Sequence, residues 1–466
     1  MNRKALIWLL LAALVLPMAT TALAQGGEEV TITIRGFAVP PHEDWRCNVF
    51  NEVVDDLNAQ LEEEGDARRV TLELICDNPG WGPYKQEFVL ASDAGEAPDI
   101  YVAGHEDIGS LSAAGYIVDL TDMVMDADGN WLFPQFADVV DNLWDSTRYN
   151  GRIWAIPQDA EARPLYYSKA LLRELGWSEE EIDSLPERIR NAEFTWDDLI
   201  ATAQEAIEAG IIEPGNGVWH RPTNGPDFLY YYYGFGGELE AEDGHLIYDT
   251  ESAQQVYEFF ANLTQETGVL RSDMLGTLEW SEWHQTVSQA DTVLFWPGGT
   301  WNWGNWRVNY YPSQQTEMDP EEWLFENIGY ALIPEFEEGN GPITLTHPLV
   351  YTISSNSENP DLALRLIAMV TTPELNTLHA VASAHLGILK SQAEYEPYTE
   401  DAFLSDVLYM LDYTTFISNS EFYTAWANAN YDAIAAVEVG DLTPEEAVEF
   451  VVARMENELG DNVEIR

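Results

Sequence analysis

The sequence predicts an α/β protein of more than one domain, with a parallel, doubly wound sheet near its N-terminus. Three observations predict it. Strand, helix, strand, helix and strand patterns alternate over residues 30–103, well-punctuated helices follow later, and the 466 residues, 46% of them hydrophobic, suffice for more than one core. In such sheets ligands meet the loops after the carboxyl ends of the strands. Those loops hold Trp45, then Asn78-Pro79-Gly80-Trp81, then Gly104-His105-Glu106-Asp107.

Val30 to Ile34 and Val70 to Cys76 alternate apolar and polar residues, as half-buried strands do, and Asp99 to Ala103 is an apolar run behind Pro98. Phe50 to Leu61 and Tyr84 to Ser92 have helical spacing. The central stretch is Tyr149 to Lys169. Asn150-Gly151 is a tight-turn pair, and Ile153 to Ile156 is a short apolar run closed by Pro157, which together predict a hairpin feeding a strand. Asp159, Glu161 and Arg163 follow at i, i+2 and i+4. An extended backbone places all three on one face, with Ala160, Ala162 and Pro164 on the other, as in the lining of a cleft.

Beyond it, Thr195 to Asp198 reads as a capping box for a helix ending at Gly210, and Asp249 to Thr267 as an amphipathic helix. Asn359-Pro360 and Thr443-Pro444 open two more. Tyr230 to Tyr233 is expected on a helix, partly as core. Asp291 to Trp296 reads as a buried strand. It runs into Pro297-Gly298-Gly299-Thr300-Trp301-Asn302-Trp303, where glycines admit a close ligand and indoles supply flat faces. Asp126 to Asn130 begins like a calcium loop but lacks the glycine at position six and the glutamate at twelve, so it is read as a turn.

Acidic residues outnumber basic ones 81 to 21, for a net charge of −60, and only Lys4, Lys85, Lys169 and Lys390 are lysines. Such a surface repels nucleic acid and anionic membranes. Arg3 and Lys4 precede the apolar run Ala5 to Leu16, and Ala22-Leu23-Ala24 precedes Gln25, which predicts a signal peptide cleaved after Ala24 and an exported chain without a lipid anchor. In an oxidising compartment the two cysteines, Cys47 and Cys76, are expected to form a disulfide. Neither has a Cys or His partner at metal-ligand spacing, and no metal, cofactor or catalytic residue is expected.

The Tyr149-Asn150-Gly151-Arg152 turn, Pro157, Glu161 and Tyr167-Ser168-Lys169 resemble the crossover segment of the family 1 extracellular solute-binding proteins of ABC importers, which include the maltose-binding protein. Ala91 to Ile100, Ala113 to Leu120, Gly299-Thr300-Trp301, and Leu386 to Lys390 are similar as well. The resemblance implies a two-lobed periplasmic-binding-protein fold, each lobe a mostly parallel sheet flanked by helices, with three hinge crossings near Gln158, Pro348 and Gln392. Lobe one would comprise residues 25–157 and 350–391, and lobe two residues 158–349 and 392–466. It further implies that Glu161 accepts hydrogen bonds from sugar hydroxyls, that Trp301 stacks on a sugar ring, and that Glu106 stands at a sugar-binding acidic position.

Arg163, Trp81, Trp303 and Trp426 complete the candidate ligand-binding set, because sugars need donors, acceptors and apolar faces together. His105 and His347 are expected to be hydrogen-bonding neighbours. The expected function is capture of an oligosaccharide and its delivery, by hinge closure, to an ABC permease, by a monomer with no nucleic-acid partner. Two other readings share these features: an exported glycoside hydrolase, which also needs paired carboxylates in an aromatic cleft, and a receptor for polyamines or another small polar solute.

Overall fold

The computed structural model describes residues 27–241, 244–312 and 317–466, so the expected signal peptide lies outside the described residues. Strand β1 (Glu28–Phe37) pairs in parallel with β2 (Arg68–Asp77) and β3 (Ile100–Gly104). Its alternation is visible in the burial: Val30, Ile32 and Ile34 point into the core, while Glu29 and Thr31 face solvent. Helices Val54–Glu64 and Trp81–Ala94 cross between these strands, burying Leu57 and Leu61, and Tyr84 and Phe88, at four-residue spacing. β3 is buried along its whole length, as a strand covered on both faces must be.

Asn150 and Gly151 both have positive φ, 50° and 72°, and close the hairpin of β4 (Arg148–Tyr149) and β5 (Arg152–Ile153). The first sheet is completed by β6 (Ile156–Pro157) and by β12 (Leu349–Ile353), which lies antiparallel between β3 and β6. A second sheet has the order β10 (Ile328–Ala331), β7 (Leu165–Ser168), β9 (Phe295–Pro297). Here the expectation of a mostly parallel sheet is corrected, since both ladders are antiparallel. The reason is the course of the chain: it enters the second sheet along β7 and leaves it along β10, so these two strands run in opposite senses. Three pairs finish the sheets: β11 (Thr344–Thr346) with β13 (Thr414–Phe416), β8 (Leu246–Tyr248) with β14 (Val463–Ile465), and the hairpin.

Residues 158–164 therefore run from the first sheet to the second, and residues 332–348 run back. The passages touch along their length. Gln158 N–H donates to the Leu349 carbonyl at 2.9 Å, the amides of Glu161 and Arg163 donate to Thr346 and Thr344 Oγ1 at 3.3 and 2.7 Å, and Ala160 exchanges backbone hydrogen bonds with Leu386.

Cys47 and Cys76 are bridged, with Cα atoms 6.2 Å apart and a sequence separation of 29. A Cβ on Gly36 would come within 2.5 Å of Cys47 Sγ, so glycine in β1 is what lets the bridge lie across the sheet. Replacing both cysteines by serine is expected to lower folding stability by about 3 kcal/mol, through the loop-closure entropy returned to the unfolded chain. Urea unfolding of the oxidised protein and the variant measures it. Among the described residues, no helix is long and apolar enough to cross a membrane.

Candidate functional site

The three ionic residues of the first passage are all buried, with Asp159, Glu161 and Arg163 at 1, 5 and 2% exposure. Burying charge is tolerable only with partners, and each has them. Asp159 Oδ1 accepts from Leu349 N–H at 2.8 Å, and its Oδ2 accepts from Arg46 Nη2 at 2.8 Å. His379 and His385 Nε2 stand 3.4 and 3.7 Å from the same oxygen. Arg46 also donates from Nε to Gln158 Oε1 at 2.8 Å and from Nη1 to the Phe37 carbonyl at 2.5 Å. Burial opposes the charge of Asp159, but His385, His379 and Arg46 outweigh it and hold its carboxyl well below the usual range. This cluster could offer three ligand atoms to a metal. The Arg46 guanidinium, 3.4 and 3.5 Å from both imidazole nitrogens, fills the place a cation would take.

Glu161 faces a second cluster. It is in close ionic contact with Arg163 Nη1, and its Oε1 lies 3.6 Å from His347 Nδ1. Arg163 donates from Nε to Asp227 at 2.5 Å, and Asp227 in turn accepts from Arg221 at 2.9 Å. On the other side His347 Nε2 lies 2.5 Å from Glu106, and Lys85 donates to Glu106 and Asp107 at 2.8 Å each. The cluster thus runs from the turn after β3 and helix Trp81–Ala94, through the 158–164 passage, to Asp227 and Arg221. Burial lifts the Glu161 carboxyl to about 7 in spite of Arg163 and His347, and lifts Asp107 to about 6. Burial also disfavours a charged Glu106, but His347 and Lys85 prevail and hold it well below its ordinary value.

Trp301, half-buried, opens helix Trp301–Asn305. Its indole folds over Gly299, where a Cβ would come within 1.6 Å of the ring. The glycine therefore accommodates the tryptophan itself. The Arg163 guanidinium lies 4.2 Å from the ring centroid, and His385 is stacked at 6.1 Å. Trp81, 37% exposed, stacks on Phe37 at 4.1 Å, with Lys85 Nζ 5.8 Å from its ring. The structure therefore brings Glu106, Glu161, Arg163 and Trp301 together, with Trp81 linked to them through Lys85.

Two expected ligand contacts are core instead. Trp303 is fully buried, stacks on Phe403 at 4.5 Å and donates its Nε1–H to Glu321 at 3.2 Å. Two residues along a helix turn about 200°, so Trp301 and Trp303 cannot face the same cleft. Trp426, in helix Tyr423–Glu438, donates to the Ile247 carbonyl at 2.9 Å and packs edge-on against Tyr232 at 5.1 Å. His347 touches two acidic groups as expected of a neighbour, and His105 Nδ1 lies 2.6 Å from Asn419 Oδ1.

Residues 50–377 match the bacterial extracellular solute-binding protein family. The chain belongs to that family. Its architecture is the two-lobed fold of several solved relatives. The maltose-bound MalE3 of T. maritima is 19% identical, with TM-score 0.69 over 92% of this chain and 100% of the other. The GacH receptor of Streptomyces glaucescens, solved unliganded and with acarbose, is 16% identical, with TM-score 0.70 over 93% and 99%. The cyclic alpha-maltosyl-1,6-maltose binding protein of Arthrobacter globiformis is 18% identical, with TM-score 0.67 over 93% and 100%. A solute-binding family leaves the hydrolase reading without support.

Sequence reasoning missed Lys85, Asp227, Arg221 and Arg46 as members of these clusters. Lys85 had a usable signal, being one of four lysines in a chain of net charge −60 and one turn after Trp81.

Proposed function

We propose that this solute-binding protein captures an oligosaccharide between its lobes and presents it to the permease of an ABC importer. The observation that carries the reading is the Glu161, Arg163 and Trp301 group, which brings a buried acceptor and donor on the passage joining the two sheets against the indole that opens helix Trp301–Asn305. Carbohydrate ligands in the relatives MalE3, GacH and the Arthrobacter globiformis protein support it. Lobe one would comprise residues 25–157 and 350–391, and lobe two residues 158–349 and 392–466. Closure about Gln158, Pro348 and Gln392 would expel water and strengthen each polar contact. The protein would act outside the cytoplasm as a monomer, after removal of residues 1–24, with no nucleic-acid partner.

Glu161 would accept hydroxyl hydrogen bonds and Trp301 would stack on a ring, with Glu106 and Trp81 reaching the ligand from lobe one. Arg163 now covers one face of the indole, so a stacking sugar must move it and loosen its contact with Glu161. A thermal-shift screen over mono- and oligosaccharides identifies the ligand, since a hundredfold excess over Kd adds about 2.7 kcal/mol to the folded state. Calorimetry with that sugar should then show Glu161→Gln losing about 1.5 to 3 kcal/mol of binding, and Trp301→Ala a comparable amount. Unchanged affinity in both variants would put the sugar elsewhere, and hydrolysis of the sugar would overturn the receptor reading.

A further inference from the structure

We propose that His347 is a positioning residue of the sugar site, holding Glu106 at one ring nitrogen and Glu161 at the other, and that bringing the three together takes up one proton. This rests on the oligosaccharide reading and adds to it the residue that aims the two acids. The register of the first sheet sets the meeting. β12 runs antiparallel to β3 with Leu349 opposite Gly104, and His105 N–H donates to the Pro348 carbonyl at 3.2 Å, so residue 347 lies beside Glu106. Glu106 folds back over Gly104, where a Cβ would collide with its Oε2, and the glycine leaves that oxygen room to reach the imidazole. Next to His347, Thr346 Oγ1 accepts from Glu161 N–H at 3.3 Å and brings the outward passage alongside.

The two nitrogens differ in what they face. Lys85 and His347 hold Glu106 ionised, and an ionised carboxylate only accepts, so at 2.5 Å it is His347 Nε2–H that donates to Glu106 Oε2. Nδ1 then decides the charge of the ring. It faces Glu161 Oε1 at 3.6 Å, within ionic reach but beyond a hydrogen bond, and that oxygen is buried with no hydrogen-bond partner among the described residues. A neutral ring would set the lone pair of Nδ1 against an ionised carboxylate in a space closed to water. A proton on Nδ1 turns the opposition into attraction, and a proton on Glu161 relieves it as well.

The surrounding charges agree. Burial would lower His347, but Glu106 and then Glu161 overcome it, against Arg163, and raise it above its ordinary 6.5. Burial lifts Glu161 to about 7 although Arg163 Nη1 presses on the same oxygen. His105, its ring 5.4 Å from that of His347, is lowered to about 4 by burial and is neutral at pH 7. Lys85 holds the other oxygen of Glu106 and also Asp107, which at about 6 is mostly ionised at pH 7. In the proposed division Glu106 belongs to lobe one and His347 and Glu161 to lobe two, so opening the cleft parts them and returns His347 to water, where it is mostly neutral above pH 6.5. A group raised in the closed form favours closure below its raised value and ceases to as pH climbs through it, so affinity falls as pH rises above 7.

The test uses the mature protein with maltotriose, cellotriose, xylotriose and mannotriose, carrying forward whichever raises the melting temperature most at pH 6.5. Calorimetry at pH 7 in phosphate and in HEPES counts the protons taken up, because the two buffers differ in heat of ionisation. Uptake of about one proton per sugar is expected, with affinity falling up to about tenfold per unit between pH 7 and 8.5. His347→Gln keeps a donor for Glu106 but cannot gain a proton, so it should bind without uptake and with a flat profile. His347→Ala frees both acids and should bind about tenfold more weakly or worse at pH 6.5. A role in folding alone would lower the unliganded melt and leave the proton count of His347→Gln at the native value. Should either variant fail to fold, the proton count in the unaltered protein and the titration of its His347 ring by NMR, with and without the sugar, decide. Binding without proton uptake, uptake undiminished in His347→Gln, or native affinity in His347→Ala overturns the inference and leaves the oligosaccharide reading standing. Binding of none of the four sugars overturns both.

Discussion

Replacing Asp159 by asparagine should lower folding stability by about 3 kcal/mol or more. The substitution keeps the shape and the acceptor for Leu349 N–H but removes the anion that faces Arg46, a guanidinium only 1% exposed. Glu43, 3.4 Å from Arg46 Nη1 against 2.8 Å for the Asp159 pair, offsets part of the loss. Urea unfolding at pH 7.5 measures the effect. Pairing Asp159→Asn with Arg46→Met should cost less than the sum of the single changes, since the double variant removes both charges of the Asp159–Arg46 pair, with only Glu43 left to lose a partner. An unchanged midpoint in Asp159→Asn would show that the cluster adds nothing to stability.

Acidification from pH 6.5 to 4.5 should cost roughly 3 kcal/mol or more of stability. Burial, with nearby cations, lowers His42 to about 4; burial with His347 lowers His105 to about 4; burial with His42 lowers His284 to about 3. A histidine whose folded pKa lies below its unfolded value takes up a proton on unfolding anywhere between the two, so stability falls as pH falls. Glu161 and Asp107, raised by burial, act in the opposite sense over part of the window. Three histidines against two carboxyls leave about one proton, or about 1.4 kcal/mol per pH unit. His379 and His385, also lowered by burial, add to the loss, while His347, which Glu106 raises in spite of burial, opposes it. Denaturant midpoints at pH 7, 6 and 5 test the sign, and a rise in stability toward pH 5 would overturn it.

The parts of this fold that depend on neighbours in sequence could be read from the chain. β1, β2 and β3 alternate with their helices as expected, and the capping boxes at Thr195 and Thr443 start helices Trp196–Glu208 and Pro444–Glu458. Asp126 makes the expected turn by accepting from the amides of Asp128 and Asn130. What the sequence concealed is contact across distance. Asp227 joins the Arg163 group from a position 64 residues on, and Arg46 meets Asp159 across 113. The expected strand from Asp291 is shorter, starting at Phe295, because an apolar run signals burial without fixing backbone pairing. Tryptophans were the hardest to assign, since Trp301 and Trp303 differ by helix phase, and a segment read as a loop conceals that phase.

The insertion of β12 between β3 and β6 bears on how such a chain is made and moved. Until residue 353 has been synthesised, roughly twenty to seventy seconds at about 5–20 residues per second, β3 lacks its inner neighbour and the N-terminal half cannot close. Pairings so distant in sequence also form slowly, because the loop entropy is spent before the contact is gained. The interleaved sheet therefore keeps the N-terminal half of the nascent chain open until about three-quarters of the 466 residues have been made.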